Sequence, residues 1–471
     1  MQYWRLTLAA TLTSVAGVAT AGVSASEAAK LGNELTPVGA IAAGNEDGSI
    51  PEWKGQALFN EEQLNLTRSQ LEEWRKNDPV KVRNMVYSEL EKRESVIGDV
   101  ISKQFTITAQ NYKEHADKLT AGHKALFEKY PGYTMPVYKT VRTGFFPEEI
   151  YEATKKNATS ASLEGTDNVN NAKLGFPFPI PKSGAEAIWN HKLKFRGSAV
   201  KRFNNQAIVK PDGDFKISKL IEDVKFKYAN IEEPGGSALL AYYLSEVIAP
   251  ARVAGQLTLV HETADEGSGG RLAWIFNPGL GRVNRAPDVG YDNPYIGTDG
   301  EQFNDQVDVF NGSLDRYDWK LVGRKEMYIP YHSYEINSPE YKYTDMIRAN
   351  HLNQDLTRYE LHRVWVVDAT VRDGTRHQFK RRTFYLDEDS WSIAVVDCYD
   401  NRDELWKVQE AHLITLPFVP TVTGAPETIY DLQTGRYFLT ALTNEDEVSD
   451  FEITYQDNYF TPANLKRKAR R

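Results

Sequence analysis

The sequence contains a single cysteine, Cys398, so the chain can form no internal disulfide bond. No cysteine follows the apolar stretch near the N-terminus, which excludes anchoring through an acylated N-terminal cysteine. A chain of 471 residues can nevertheless bury a core large enough to fold without covalent cross-links. The cysteine usage therefore fits an exported protein whose stability comes from packing.

The motifs of common enzyme classes are missing as well. There is no G-x-S-x-G, no H-E-x-x-H and no P-loop. His362, His377 and His412 lie on separate predicted strands and could converge, but polar positions on a sheet surface are the favoured interpretation. Asp387 and Asp389 lie in a predicted turn, where carboxylates commonly cap the backbone. We therefore predict no catalytic residue, no bound metal and no cofactor.

Positive charge is not in excess, because the net charge at pH 7 is −9. A nucleic-acid-binding protein needs a basic surface to neutralise phosphates, so we predict no nucleic-acid partner. One basic cluster ends the sequence, with Lys466, Arg467, Lys468, Arg470 and Arg471. A solvated tail is the favoured interpretation, and peripheral contact with an anionic membrane or an acidic partner is the alternative.

The N-terminus carries an apolar run, in which Arg5 precedes the 13 residues from Leu6 to Val18. Ala19-Thr20-Ala21 follows, which completes the order of a secretory signal peptide. A 13-residue helix would cover only about 20 Å of a hydrocarbon core about 30 Å thick, so a cleaved signal is favoured over an anchor helix. We predict cleavage after Ala21 and a soluble protein of the bacterial periplasm.

The clearest structural pattern lies between Arg363 and His412. Residues alternate between the two faces of a strand from Arg363 to Val371, and the Asp373-Gly374 pair that follows favours a tight hairpin turn. Further strands are predicted at Arg376 to Leu386, Trp391 to Tyr399 and from Leu405 onwards. Because the connecting turns are too short for crossover helices, the stretch predicts an antiparallel meander.

Four segments are predicted along the chain. The signal peptide, residues 1–21, precedes an irregular, partly helical arm, residues 22–175, in which an apolar stripe predicts a helix from Thr108 to Tyr130. A proline-rich spacer marks the start of a half-barrel at residues 176–420, and residues 421–471 form a C-terminal extension with the basic tail.

One helix is predicted inside the sheet-rich segment. Apolar residues recur at helical spacing between Leu239 and Ile248, and Pro250 would end this helix. A long hairpin, Phe195 to Val209 and Phe215 to Tyr228, precedes it around a Pro-Asp-Gly turn. The helix is expected to cover one face of the sheet.

Five stretches carry a resemblance to known proteins: Leu35 to Trp53, Phe176 to Gly197, Leu272 to Arg285, Arg316 to Tyr331 and Arg358 to Asp368. Four of them look like a Gram-negative periplasmic family of about this length, known as a domain of unknown function with outer-membrane lipoprotein-sorting similarity. The stretch from Leu272 to Arg285, with the aspartate turns of the meander, resembles the lipoprotein carriers LolA and LolB. The LolA and LolB resemblance covers the sheet-rich part alone.

The resemblance implies an α+β fold of mainly antiparallel strands. It would be a LolA/LolB-like incomplete β-barrel with covering helices and an irregular N-terminal arm, enclosing an apolar cavity for acyl chains. It also implies outer-membrane proteins and exporters of the resistance-nodulation-division (RND) type as partners. The missing lipid-attachment cysteine makes the chain similar to the soluble LolA and not to the anchored LolB.

We therefore predict a periplasmic protein that binds or transfers lipids, lipoprotein acyl chains or other long apolar molecules. A non-catalytic docking scaffold of an envelope complex is the alternative, and a hydrolase ranks behind both. The expected cavity residues are Trp274, Phe276, Trp365 and Val367 on strands, with Leu240 and Leu244 on the covering helix. Which face of each strand lines the cavity stays open, because strand register cannot be read from one sequence.

Overall fold

The computed structural model describes residues 22–94, 100–236, 238–264, 270–286, 291–295 and 297–469. The predicted signal peptide and the last two arginines of the basic tail lie outside these ranges, so cleavage after Ala21 stays a prediction. Within the described ranges, no helix combines the length and the apolar character needed to cross a membrane.

Strands provide most of the regular structure. In chain order they are β1 (Lys103–Thr108), β2 (Thr134–Tyr138), β3 (Ser162–Glu164), β4 (Asn168–Asn170), β5 (Ala199–Phe203), β6 (Asn205–Val209), β7 (Phe215–Phe226), β8 (Leu239–Ala249), β9 (Leu257–Thr263), β10 (Leu272–Asn277), β11 (Arg282–Ala286), β12 (Tyr317–Pro330), β13 (Tyr359–Val371), β14 (Arg381–Asp387), β15 (Ile393–Tyr399), β16 (Leu405–Leu416), β17 (Thr421–Asp431) and β18 (Tyr437–Leu442).

The helices are shorter and lie mainly in the first 192 residues. They are α1 (Ala25–Ala28), α2 (Glu61–Leu64), α3 (Arg68–Asn77), α4 (Lys81–Glu94), α5 (Ala121–Lys129), α6 (Glu148–Ser160), α7 (Gly184–Lys192), α8 (Tyr343–Met346) and α9 (Pro462–Lys468). Hydroxyl side chains start several of them: Thr67, Thr120 and Ser183 each accept a hydrogen bond from a backbone N–H in the first turn of α3, α5 and α7.

Sixteen of the described strands form one open sheet in the order β1-β2-β13-β14-β15-β16-β17-β18-β6-β7-β8-β9-β10-β11, with β12 beside β13 and β5 beside β7. Nearly all neighbours are antiparallel, the exception being the single pair Tyr359 and Val137 between β13 and β2. Because this order does not return to its first strand, the sheet is an incomplete β-barrel. The predicted fold class is confirmed.

The predicted meander is confirmed strand by strand. β13, β14, β15 and β16 are consecutive antiparallel neighbours, with Trp365 opposite Leu386 and Phe384 opposite Val396. Gly374 takes a φ of 81° in the connection between β13 and β14, a conformation that residues with a Cβ rarely adopt. The alternating pattern and the Asp-Gly turn therefore placed this half of the sheet correctly.

The predicted helix from Leu239 to Ile248 is wrong. This segment is β8, in which Leu244 lies opposite Asp223 of β7 and Leu259 of β9. The spacing of its apolar residues fits a helix, but its aromatic and β-branched residue types favour a strand. Hydrogen bonding to β7 and β9 on its two sides selects the strand. The helix predicted from Thr108 to Tyr130 is also broken: a 3₁₀ turn at Tyr112–Lys118 precedes α5.

The sheet extends beyond the segment predicted for the half-barrel. β1 and β2, from the predicted arm, lie at one end of the strand order, while β17 and β18, from the predicted C-terminal extension, lie between β16 and β6. The last helix, α9, packs against β9, β10 and β11. Strands from both predicted flanking segments, β1 and β2 on one side and β17 and β18 on the other, therefore share one sheet with strands of residues 176–420.

Two helices pack closely on the meander. α7 lies on β12 and β13, and Gly184 makes the close approach possible, since a Cβ at this position would lie 2.8 Å from Cγ1 of Val367. α5 contacts β15 and β16, where its N-terminal backbone N–H groups donate to the buried Asp397 carboxylate. Helices α5 and α7 thus occupy the space against the meander strands.

Candidate ligand-binding cavity

A cavity of about 690 Å³ lies beside the part of the sheet outside the β13–β16 meander. Its walls come from β5, β7, β8 and β9, from the end of β16 with the turn that follows, and from α2 and α3. This volume falls within the range typical of small-molecule binding sites, about 300–1,000 Å³. The covering helices therefore come from the N-terminal arm and not from residues 239–248.

The cavity wall is largely apolar. The sheet contributes aliphatic and aromatic side chains from alternate strand positions, and α3 adds two more from the opposite side. These residues include Val200, Val224, Phe226, Leu240, Val260, Leu416 and Phe418 from the sheet and its turns, and Leu71 and Trp74 from α3. A long hydrocarbon chain could thus replace water along most of this surface.

The charged groups of the lining are predominantly basic. Eight basic and five acidic side chains line the cavity, although the whole chain carries a net charge of −9. The basic ones are Arg68, Arg75, Arg83, Lys192, Lys194, Arg196, Arg202 and Arg271, and the acidic ones are Asp78, Glu222, Glu262, Asp308 and Glu452. Basic side chains therefore outnumber acidic ones in the lining itself, and Arg68 and Arg83 pair with carboxylates outside it.

Lys194, which follows α7, is the most deeply buried basic group of the cavity lining. Its side chain is 3% exposed, and its amino group lies 3.6 Å from Oδ1 of Asp308 and 3.4 Å from Nδ1 of His191. The guanidinium group of Arg196 lies 2.6 Å from the other oxygen of this carboxylate, Oδ2. Burial lowers the pKa of Lys194 to about 8, with Asp308 opposing this shift. Lys194 is thus a buried cation whose neighbours lie beyond short hydrogen-bond distance.

His191 is a neutral partner in this cluster. Its Nδ1 accepts a hydrogen bond from the backbone N–H of Ile393 at 3.1 Å, and its Nε2 donates to the backbone carbonyl of Asp308 at 3.0 Å. Burial, aided by the charge of Lys194, holds the pKa of His191 well below its ordinary value. Because the Nδ1 lone pair is already in use, His191 offers Lys194 only a weak acceptor.

A second charged pair lies on β5 and β7. Glu222 accepts from Arg202 at 2.8 Å, from Asn204 at 2.7 Å and from the Tyr243 hydroxyl at 2.7 Å, so its carboxylate is well satisfied. Nearby, burial and the charge of Asp308 raise the pKa of Glu427 to about 7. Lys194, in contrast to Arg202, has no carboxylate oxygen within short hydrogen-bond distance.

The cover of the cavity is held by polar contacts. α3 buries none of its residues fully. Arg75 donates to the backbone carbonyls of Thr443 and Asn444, and Glu72 accepts from the backbone N–H of Val448 at 3.0 Å. Helices that lack a buried apolar face depend on such contacts for their position. α3 is therefore the wall most easily displaced.

The six predicted cavity residues are placed in three different regions. Leu240 lines the cavity, but from a strand and not from a helix. Leu244, Trp274 and Phe276 form a separate apolar cluster with α9 and the residues before it. Trp365 and Val367 belong to the main core, where Trp365 stacks on Trp391 at 6.0 Å and Val367 meets α7.

The three histidines predicted on a sheet surface are buried and lie apart. Nε2 of His362 is hydrogen-bonded to the Glu360 carboxylate at 3.3 Å, and Nε2 of His377 to the Asp305 carboxylate at 2.9 Å. His412 is fully buried, and neither of its ring nitrogens has a hydrogen-bond partner among the described residues. The surface interpretation is wrong for all three, because the sheet carries helices and loops over these positions.

His362, Asp387 and Asp389 could in principle hold a metal ion, since one ligand atom of each lies within 4.8 Å of the others. Both oxygens of Asp389 already bind Arg142, at 2.6 and 2.9 Å. Asp387 accepts from the hydroxyl of Ser390 at 2.6 Å. The cluster's ligand atoms are therefore engaged in an ion-pair network, which fits a structural role better than a metal site.

Sequence reasoning missed the residues that give the cavity its charge. Asp308 is more than one hundred positions from Lys194 and Arg196, and only the fold brings them together. A local signal did exist: two cations alternate with apolar residues in Leu193-Lys194-Phe195-Arg196. Alternation of this kind places both cations on one side of an extended segment.

Residues 106–466 match the family described as "Protein of unknown function (DUF1329)". An uncharacterized protein of Pseudomonas aeruginosa is 42% identical over 455 residues, which cover 95% of this chain and 94% of that protein. The chain belongs to the DUF1329 family. The family resemblance stated from the sequence is therefore confirmed.

Two solved structures extend the comparison of this DUF1329 protein. A putative outer membrane lipoprotein-sorting protein domain from Vibrio parahaemolyticus is 15% identical, with 60% of this chain and 97% of that chain covered and a TM-score of 0.42. A LolA superfamily protein from Nitrosomonas europaea is 12% identical, with 60% and 98% covered and a TM-score of 0.37. At this identity the likeness concerns the fold alone.

Proposed function

We propose that this protein binds a long apolar molecule, such as a lipid or a lipoprotein acyl chain, in the cavity under α3 and carries it without chemical change. The observation that carries this proposal is the 690 Å³ space itself, walled by apolar strand residues and covered by a helix with no fully buried side chain. A ligand held there would complete a core that the protein leaves unfilled.

The energetics favour such a ligand. Burying a methylene group contributes about 0.8 kcal/mol, so a sixteen-carbon chain could gain on the order of 10 kcal/mol before the costs of ordering and association. The affinity would then come from the apolar surface that the ligand buries, and binding would need no catalytic group. This agrees with a lining in which most ionic groups are already paired with each other.

The proposal places the mature protein in the periplasm, after cleavage behind Ala21. There it would exchange its cargo with envelope transport components, for which outer-membrane proteins and RND-type exporters are our candidates. A docking scaffold is the second candidate function, and it would have no need of an accessible cavity. A hydrolase would release a changed ligand.

Blocking the cavity tests the proposal. Val260 lines the wall on β9, so Val260→Trp should fill part of the space and lower the affinity for a fluorescent acyl probe at least about tenfold. Val322→Trp is the matched control, because Val322 is exposed on the edge strand β12 and lies outside the cavity lining. Circular dichroism and the melting temperature show that both variants fold.

Native mass spectrometry of protein purified from periplasm completes the test. We expect a bound apolar molecule whose mass is the same before and after incubation with the protein. A changed mass would favour the hydrolase. A wild-type protein that is empty, binds no apolar probe and melts at the same temperature with and without such probes would favour the docking scaffold.

A further inference from the structure

We infer that the cavity selects an amphiphile whose head group carries an anionic oxygen group, a carboxylate or a phosphate monoester, and that Lys194 and Arg196 hold this head group. The inference rests on the proposed function, because the cavity must first accept the apolar chain. It adds the chemistry of the polar end, which the apolar walls leave unspecified.

The first observation is the geometry around Asp308. Arg196 lies 2.6 Å from Oδ2 of this carboxylate, whereas the Lys194 amino group lies 3.6 Å from Oδ1. Charged hydrogen bonds between nitrogen and oxygen are typically about 2.7–2.9 Å long. Oδ2 is thus engaged by Arg196, and the contact of Lys194 with Oδ1 is long enough that an oxygen of a ligand could bind Lys194 at shorter distance.

The second observation is the burial of Lys194. An ammonium group that is 3% exposed has lost most of its water, and a buried charge is costly unless it is paired and hydrogen-bonded. Among the described residues, the hydrogen-bond and ion-pair partners of this amino group are His191 and Asp308, at 3.4 and 3.6 Å. An anionic oxygen from a ligand would supply the close partner that the protein does not.

The third observation is the balance of charge over the whole lining. Basic side chains outnumber acidic ones by eight to five, in a chain whose net charge is −9. Arg83 is neutralised by Glu335 and Glu340 outside the lining, whereas Arg75 adds a positive charge from α3, where it donates hydrogen bonds to backbone carbonyls. A cationic or neutral head group would gain nothing from this distribution, whereas an anionic one would be attracted to it.

The position of Asp308 is also fixed by an unusual backbone. Asp308 and Val309 have φ values of 52° and 62°, which are rare for residues with a side chain and costly for a β-branched one. The N–H of Val309 donates to Glu427 at 3.2 Å and so anchors the turn. This anchoring holds Asp308 as an orienting partner of Arg196 at the wall of the cavity.

Ligands that differ only in the head group test the inference. Hexadecanoate, hexadecyl phosphate and hexadecanol are compared by displacement of a fluorescent acyl probe from the delipidated full-length mature protein at pH 7. We expect at least one of the two anions to bind about tenfold more tightly than hexadecanol, or better, because hydrogen bonds to charged groups are worth more than neutral ones. The tighter anion identifies the head group.

The variant Lys194→Met should bring the affinity for that anion close to the affinity for hexadecanol. Lys216→Met is the control, since Lys216 is exposed on β7 and lies outside the lining. Equal binding of all three amphiphiles by the wild-type protein would overturn the inference and leave the proposed function standing. Failure to bind any of them would overturn both. An anion preference that Lys194→Met leaves unchanged would contradict the role of Lys194.

Discussion

The two parts of the sheet treat buried charge in different ways. In the filled region, β13 to β16 beneath α5 and α7, carboxylates meet cations at hydrogen-bond distance: Asp389 binds Arg142 at 2.6 Å, and Glu360 binds Arg358 at 2.8 Å. In the hollow region, β5 and β7 to β9 around the cavity, Arg202 and Arg271 meet carboxylates at similar distances, but the buried Lys194 lies 3.6 Å from the carboxylate of Asp308. Helices of the protein occupy the space beside the filled region, whereas the hollow region borders a cavity of about 690 Å³.

This difference also separates the roles of the covering helices. α5 and α7 bury several of their residues against the sheet, including Phe127 and Trp189. α3 covers the hollow region without burying any residue fully. Elements with few buried contacts open at lower free-energy cost than those that form the core. The comparison therefore predicts large effects on stability from the filled region and effects on ligand exchange from the hollow one.

The largest effect is expected from Arg142→Met. This change would leave Asp389, which is fully buried, without its two hydrogen bonds from the guanidinium group. Removing one partner of a buried ion pair typically costs about 3–5 kcal/mol in the free energy of unfolding. Urea denaturation measures the loss. Arg372→Met is the control, because Arg372 and Asp318 form an exposed pair worth less than about 1 kcal/mol. Similar losses in both variants would contradict the filled-region network.

A pH-dependent effect is expected from His412→Leu. Burial lowers the pKa of His412 in the folded protein, with Glu410 opposing the shift, whereas an unfolded histidine titrates near 6.5. Below that pH the unfolded chain binds a proton that the folded chain does not, so the wild-type protein loses stability as pH falls, by up to about 1.4 kcal/mol per pH unit.

The leucine variant lacks this penalty. Its stability relative to the wild type should therefore rise by up to about 2 kcal/mol between pH 7 and pH 5, as measured by urea denaturation at both values. His115→Leu, at a partly exposed position in the 3₁₀ turn before α5, controls for the chemical change itself. A stability difference that is the same at both pH values would argue against a neutral buried His412.

The filled region could be predicted from the sequence to a large extent, and the hollow region could not. The meander was readable because each strand alternates between its two faces and each turn carries aspartate, glycine or serine, which are local signals. β8 could not be predicted, because the spacing of apolar residues around Leu240 and Tyr243 fits both a helix and a strand. Only pairing with β7 and β9 distinguishes the two.

The cavity residues show the same limit. Leu240 was predicted, yet Trp274 and Phe276 lie on the face that α9 covers, since neighbouring positions on a strand point to opposite sides. The packing of α9 and α3 on opposite faces is a long-range property that no local pattern reveals. The charged residues Lys194 and Asp308 are joined only by the tertiary fold.

A smaller effect is expected from Arg75→Met in the cover of the hollow region. Loss of the hydrogen bonds to the carbonyls of Thr443 and Asn444 should loosen α3 by about 1 kcal/mol, which corresponds to roughly fivefold faster release of a bound acyl probe. Stopped-flow fluorescence measures the rate. Lys76→Met, an exposed change on the same helix, should leave it unaltered. Unchanged release from both variants would show that α3 is not the gate.

The smallest effect is expected at the C-terminus. Leu465 of α9 is fully buried and Lys468 lies 3.4 Å from Asp223, so deleting the tail would damage packing as well as charge. Lys466 and Arg467 are exposed, and the double change Lys466→Gln and Arg467→Gln removes two charges, together with the local hydrogen bonds from Arg467 to Asn464, while leaving Leu465 and Lys468 in place. If the tail is solvated, the free energy of unfolding should change by less than about 0.5 kcal/mol. The fraction of protein that floats with anionic vesicles should then match that of the wild type at low and at physiological salt. If instead it touches an anionic membrane, each lost cation should weaken vesicle binding by about 1 kcal/mol at low salt, and this loss would shrink as salt is added.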